Sequence, residues 1–232
     1  GSVTFDKTVP TLSSVAIASD NTTTTLAKVD DVVTLTFTAS EAIGTPVVTF
    51  TSGSAAVTDT SITYASSGNT WTAKYTANTS DTAGTVAYSI AFSDSVGNAG
   101  TAVTSGSGSV TFDKTAPTVS SFTMSDTALK SGDTSTVTIV FSEAVAGFAN
   151  SDVTVVNGAL TTMTSSDNIT WTGTYTPTAD VEDATNVLTL GTAWTDTAGN
   201  AYGGSSTDTA NFTIDTTAPT VTSFTMSDTD LK

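Results

Sequence analysis

Asp6, Glu41, Asp94 and Asn98 form one set of oxygen donors, and Asp113, Glu143, Asp196 and Asn200 form a second in the same order. Three members of the second set lie 102 positions after their counterparts, and Asp113 lies 107 after Asp6. Carboxylates and amide oxygens brought together from separate loops are hard donors, suited to calcium, which accepts about 6 to 8 oxygens at roughly 2.3 to 2.6 Å in irregular geometry. Like carboxylates at one place repel until a proton or a cation relieves them. The chain has no histidine and no cysteine. It therefore lacks the soft ligands of zinc, copper and iron, the commonest general base, and every Ser-His or Cys-His nucleophile pair. Without a metal, the same residues read as turn formers: aspartate capping the D-x-T-[AV]-P junction, and DTAGN as a Gly/Asn hairpin.

The spacing of these sets comes from a repeat. TAPTVSSFTMSDTALK at 115–130 returns as TAPTVTSFTMSDTDLK at 217–232, and GSVTFDK at 1–7 returns unchanged at 108–114. Pro10, Pro117 and Pro219 mark successive junctions, so one unit is about one hundred residues, the size of an ordinary domain. We read 1–7 as the last strand of an upstream unit or a tag remnant, 8–114 and 115–215 as two complete domains, and 216–232 as the first strand of a downstream unit. Near-equal copies in tandem serve length and presentation, which a solitary catalytic domain does not need.

The positioning elements are strands. Leu35, Phe37 and Ala39 alternate with threonines, as do Val137, Ile139 and Phe141 in the next unit, and turn-like clusters (SSGN, SSDN, DTAGN) punctuate the runs. The second unit parses into strands near 118–125, 134–142, 152–156, 159–164, 169–176, 186–194 and 208–215, with no convincing helix. Seven short strands in one hundred residues, with a lone tryptophan (Trp71, Trp171) in the fifth, predict an all-β fold: tandem immunoglobulin-like β-sandwiches of about seven strands each. In such a sandwich the loops after strands two, four and six share the pole where the chain comes in. For the second unit that gathers Asp113, Glu143, Asp167, Asp196 and Asn200. At the opposite pole, Asp126, Asp133, Asp180, Glu182 and Asp183 read as solvated loop carboxylates.

The segments VTIVFSEAVAGF (137–148), TPTAD (176–180) and WTDTAGNA (194–201) resemble bacterial Ig-like domains, found as long repeats in giant secreted adhesins of the calcium-repeat, type I-exported kind. In the first unit SEAI (40–43), FSDSVGNAG (92–100) and the VTFDKTAPT junction carry a fainter likeness. The resemblance implies an extracellular rod on the bacterial surface that holds a distal binding domain away from the cell, for adhesion or biofilm formation.

Charge agrees with an extracellular cation-binding polymer. Six lysines against 22 acidic residues leave a net charge of −16, which repels nucleic acid and anionic lipid and concentrates cations. The expected partners are calcium ions and neighbouring Ig-like repeats, with possible end-to-end contacts through the orphan strands, where Val221, Phe224 and Met226 need a cover. No run approaches the roughly 18 to 20 apolar residues of a membrane helix. Carboxylate pairs suit a glycosidase, but loops this short build no cleft, so no enzyme is expected. The T-x-T pattern matches an ice-binding array and equally the exposed face of any twisted sheet. Two other functions compete with the spacer: a module that binds glycan or protein through its loops, and an accessory domain of an extracellular enzyme.

Overall fold

A computed structural model describes residues 5–227, 229 and 230. The chain divides into two compact units: the described residues of Gly1–Thr115 with Ala198–Asn200, and those of Ala116–Thr197 with Ala201–Lys232.

The first unit is built from β1 (Leu12–Ser19), β2 (Leu26–Ala27), β3 (Val32–Ala39), β4 (Val47–Ser52), β5 (Ala55–Ala56), β6 (Thr63–Ser67), β7 (Thr70–Thr76), β8 (Gly84–Ala91) and β9 (Thr111–Phe112). They form two sheets, β1-β3-β7-β6 and β2-β9-β8-β4-β5, with antiparallel neighbours except for the parallel pair β2–β9. The alternation in β3 does what the sequence predicts. Val33, Leu35, Phe37 and Ala39 are buried while the residues between them are half-buried on the other face. The core between the sheets closes on Phe50, Tyr75, Tyr88, Ile90 and Phe112, with Trp71 packed half-buried at its margin.

The second unit comprises β10 (Val119–Met124), β11 (Ala128–Lys130), β12 (Ser135–Phe141), β13 (Val145–Ala146), a 3-10 turn (Asn150–Asp152), β14 (Val153–Thr154), β15 (Gly158–Leu160), β16 (Thr170–Pro177), β17 (Glu182–Asn186), β18 (Thr189–Leu190), β19 (Thr195–Asp196), β20 (Thr207–Asp208) and β21 (Phe212–Asp215). One sheet, β10-β12-β16-β15, repeats its counterpart in the first unit. The other is broken into the ladders β11-β21-β17, β14-β18-β20 and β13-β19.

Two sequence expectations are corrected here. The sixth strand, expected as one run over 186–194, is three pieces. The register shifts between Asp183 and Asn186, because the buried Asn186 amide donates to the carbonyls of Asp183 (3.0 Å) and Phe212 (3.2 Å) where ladder bonds would otherwise run. Helix is not wholly absent either, since one 3-10 turn precedes β14. Among the described residues of 216–232 no strand occurs, and Val221 and Phe224 are 84% and 93% exposed.

Candidate metal-binding pole

The first unit holds one set of predicted donors in a single place. One carboxylate oxygen from each of Asp6, Glu41 and Asp94 lies within 4.8 Å of the other two. Asp6 belongs to the segment ahead of β1, Glu41 to the loop after β3, and Asp94 to the turn after β8, where Asp94 pairs across with Ile43. Among the described residues no ion pair to them occurs. The ion pairs among the described residues, Lys28–Asp31 (2.9 Å) and Lys130–Asp133 (3.1 Å), lie elsewhere.

Two of the three carboxylates, Asp94 and Asp6, are oriented by hydrogen bonds within the protein. Asp94 Oδ1 accepts the backbone N–H groups of Val96 (2.9 Å), Gly97 (2.8 Å) and Asn98 (2.8 Å), and Oδ2 accepts Asn98 Nδ2 (2.7 Å). Gly97 takes φ of 100°, a conformation open to glycine, which lets the three N–H groups converge on one oxygen. Partial burial pushes the Asp94 carboxyl up. The bonds from Asn98, side chain and backbone, and from Val96 and Gly97 outweigh it and hold the group below its ordinary value. Asp94 is therefore an anion throughout the neutral range. Asp6 Oδ1 accepts the Thr8 N–H (2.9 Å), and Asn98 Nδ2 also donates to the Asp6 carbonyl (3.3 Å), tying the segment before β1 to the Asp94 turn. The amide nitrogen of Asn98, not its oxygen, faces the acidic groups in this arrangement.

The second set divides between the units. Asp113 and Asn200 belong to the first and Glu143 and Asp196 to the second. Asp113 caps its own junction by accepting the Thr115 N–H (2.9 Å), as Asp6 does at Thr8, and Asn200 Nδ2 donates to the Asp113 carbonyl (3.2 Å), as Asn98 does to that of Asp6. Asp196 is 1% exposed and pairs with Val145 across β13–β19. Asp167 does not join a donor group. Its Oδ1 is spent on the N–H groups of Ile169 and Thr170, both at 2.9 Å, and on Ser165 Oγ, also at 2.9 Å, so it is a turn cap.

Sequence reasoning overlooked the carboxylates that build the other pole of the first unit. Asp81, 1% exposed, accepts Thr58 N–H (2.7 Å), Thr58 Oγ1 (2.8 Å) and Asn78 N–H (3.0 Å). Lys114 Nζ docks there on the carbonyls of Thr79 (2.9 Å) and Asp81 (2.6 Å). The Asn78-x-x-Asp81 spacing of an Asx turn was the available signal. Trp194, Tyr75 and Tyr175 are each at most 1% exposed and belong to the cores, so their rings are not available to stack on a ligand.

Comparison with known proteins gives one family match. Residues 113–214 match the family described as bacterial Ig-like domain. Among solved structures the chain is similar to the I-band fragment I67–I69 of titin, with 11% identity over 90% of this chain and a TM-score of 0.47, and spans 66% of that fragment. It is similar also to the tandem Ig repeats of Dlar, with 12% identity over 90% of this chain and 98% of that one, at a TM-score of 0.27. No curated protein matches the chain. No helix among the described residues is long and apolar enough to cross a membrane. The strand order of both units makes the chain a tandem of immunoglobulin-like β-sandwiches, and its residues 113–214 match the bacterial Ig-like domain family.

Proposed function

We propose that this chain is a non-enzymatic extender segment of a bacterial surface adhesin, stiffened by calcium where successive sandwiches join, and that it projects a distal binding domain for adhesion. The observation that carries the reading is the meeting of Asp6, Glu41 and Asp94 oxygens within 4.8 Å, with no ion pair to them among the described residues. A calcium ion would be held there by one carboxylate from the incoming segment and two from loops of the sandwich. By repeat equivalence Asp113, Glu143 and Asp196 serve the next junction, and the shared clamps Asn98–Asp6 and Asn200–Asp113 support that equivalence. Binding an ion to ordered carboxylates couples metal to linker order, so calcium outside the cell would set a stiffness that a calcium-poor cytoplasm withholds.

Calorimetric titration of the chain with calcium tests the site. Saturable binding weakened by Asp6→Asn and by Glu41→Gln is expected; no binding, or binding indifferent to both substitutions, overturns it. Scattering profiles that superimpose with chelator and with calcium would refute the stiffening. The exposed Val221 and Phe224 support end-to-end contact between chains through residues 216–232. An unchanged oligomeric state after deletion of that segment would exclude this contact.

A further inference from the structure

The turn between β14 and β15 carries the one Asn-Gly step in the chain, Asn157-Gly158, and the local backbone favours both residue types. Asn157 sits at φ of 48°, a left-handed conformation that asparagine, aspartate and glycine tolerate best. A Cβ on Gly158 would stand 2.4 Å from Cζ and Oη of Tyr175 and 2.6 Å from the Thr176 carbonyl oxygen. Tyr175 cannot retreat, being fully buried with its hydroxyl donating to the Val156 carbonyl at 2.7 Å. No bulkier residue can shield the peptide nitrogen that follows Asn157.

The Asn157 side chain is also a fastening. Its Nδ2 donates to Asp183 Oδ2 at 3.0 Å and to Asn186 Oδ1 at 2.8 Å, joining this turn to β17. Asn186 is 1% exposed and spends its own Nδ2 on the carbonyls of Asp183 and Phe212. Its Oδ1 receives the donor it needs from Asn157.

We infer that Asn157 is a site of spontaneous deamidation, held in check by Asp183 and Asn186, and that its conversion unfastens β17 from the β14–β15 turn. In the reaction the Gly158 backbone nitrogen attacks Asn157 Cγ. The new C–N bond closes a five-membered succinimide, the Cγ–Nδ2 bond breaks, and the departing amide carries the peptide proton away as ammonia. Water then opens the ring at either carbonyl, giving aspartate or isoaspartate, a net exchange of ammonia for water with no redox change. Before conversion, both hydrogen bonds hold the amide against the rotation that attack requires. Afterwards an acceptor replaces the donor: a carboxylate faces the Asp183 carboxylate, and Asn186 Oδ1 stays buried without its donor. Conversion removes the fastening that slowed it.

The test incubates the intact chain at mildly alkaline pH and follows each asparagine by peptide mass spectrometry, with Asn150, which precedes serine and is fixed by Thr161 and Met163, as internal reference. Conversion at Asn157 is expected to exceed that at Asn150, and Asp183→Ala to accelerate it several-fold while leaving the Asn150 rate unchanged. Asp183→Asn, which keeps an acceptor, is expected to fall between. Asn157→Asp should lower the midpoint of the second unit's unfolding and leave that of the first in place. Equal conversion rates in the parent and in Asp183→Ala, or conversion at Asn157 no faster than at Asn150, overturn the inference.

Discussion

The turns at 92–100 and 194–202 occupy equivalent places in the two units, yet they are held by opposite means. In the second, Trp194 is 1% exposed, stacks on Tyr202 with centroids 4.4 Å apart and planes 15° apart, and meets Phe141 at 4.5 Å. In the first, the tryptophan position is Phe92 and the tyrosine position is Gly100. A Cβ on Gly100 would lie 2.3 Å from the Phe92 ring and 2.8 Å from the Pro10 carbonyl oxygen. One turn is closed by two stacked rings and the other by bare backbone against a single ring. The aspartate and asparagine keep their places in both. The acidic turn is thus the common constraint, while the packing behind it differs in both ring count and volume.

That contrast is most easily broken at Trp194. Its replacement by alanine should cost the second unit about 3–5 kcal/mol and leave the unfolding midpoint of the first unchanged, which denaturant titration resolves as two transitions. Gly100→Ala should be next, destabilising the first unit by about 1–3 kcal/mol through overpacking, whereas Tyr202→Gly in the second unit acts by leaving a void; the reverse pattern would mean the turns are not equivalent.

A smaller effect sharpens the comparison at the tyrosines. Tyr175 donates to the Val156 carbonyl, while the Tyr75 hydroxyl is buried with no hydrogen-bond partner. Tyr175→Phe should therefore cost about 1 kcal/mol and Tyr75→Phe nothing, or it should stabilise. Burial raises both phenols, that of Tyr175 from 10.0 to about 12. Because the folded chain favours the neutral form, stability is complete below the unfolded value of 10.0 and is lost as pH rises toward 12 in the second unit. The smallest effect lies in acid. Asp94 is held below its ordinary value of 3.8, so its contribution is present above that pH and fades as the solution is acidified through and below it. Asp94→Asn should flatten the acid limb of the first unit's stability curve.

Much of this was readable in the chain. Alternation at Val33, Leu35 and Phe37 fixes which face is buried, and a period of two leaves little freedom of register. The repeat displacement pairs the donor residues, and their loops follow from sandwich topology. Two of the failures share a physical cause: side-chain bonds that substitute for backbone ones. Asn186 breaks a strand by bonding to carbonyls from inside the core, and Asp167 is taken by its own turn, neither of which alternation or spacing registers. The short β2 and β11 segments were missed because two or three residues carry no periodicity.

Those two segments have a mechanical consequence. In each unit a strand from near the beginning runs parallel to the final one: Leu26 and Ala27 beside Thr111 and Phe112, and Ala128 to Lys130 beside Thr213 to Asp215. Tension through the two ends of a unit runs along both members of such a ladder, so its bonds are sheared together rather than unzipped one by one. With three residue pairs against two, the second sandwich has the longer ladder to rupture before it can extend.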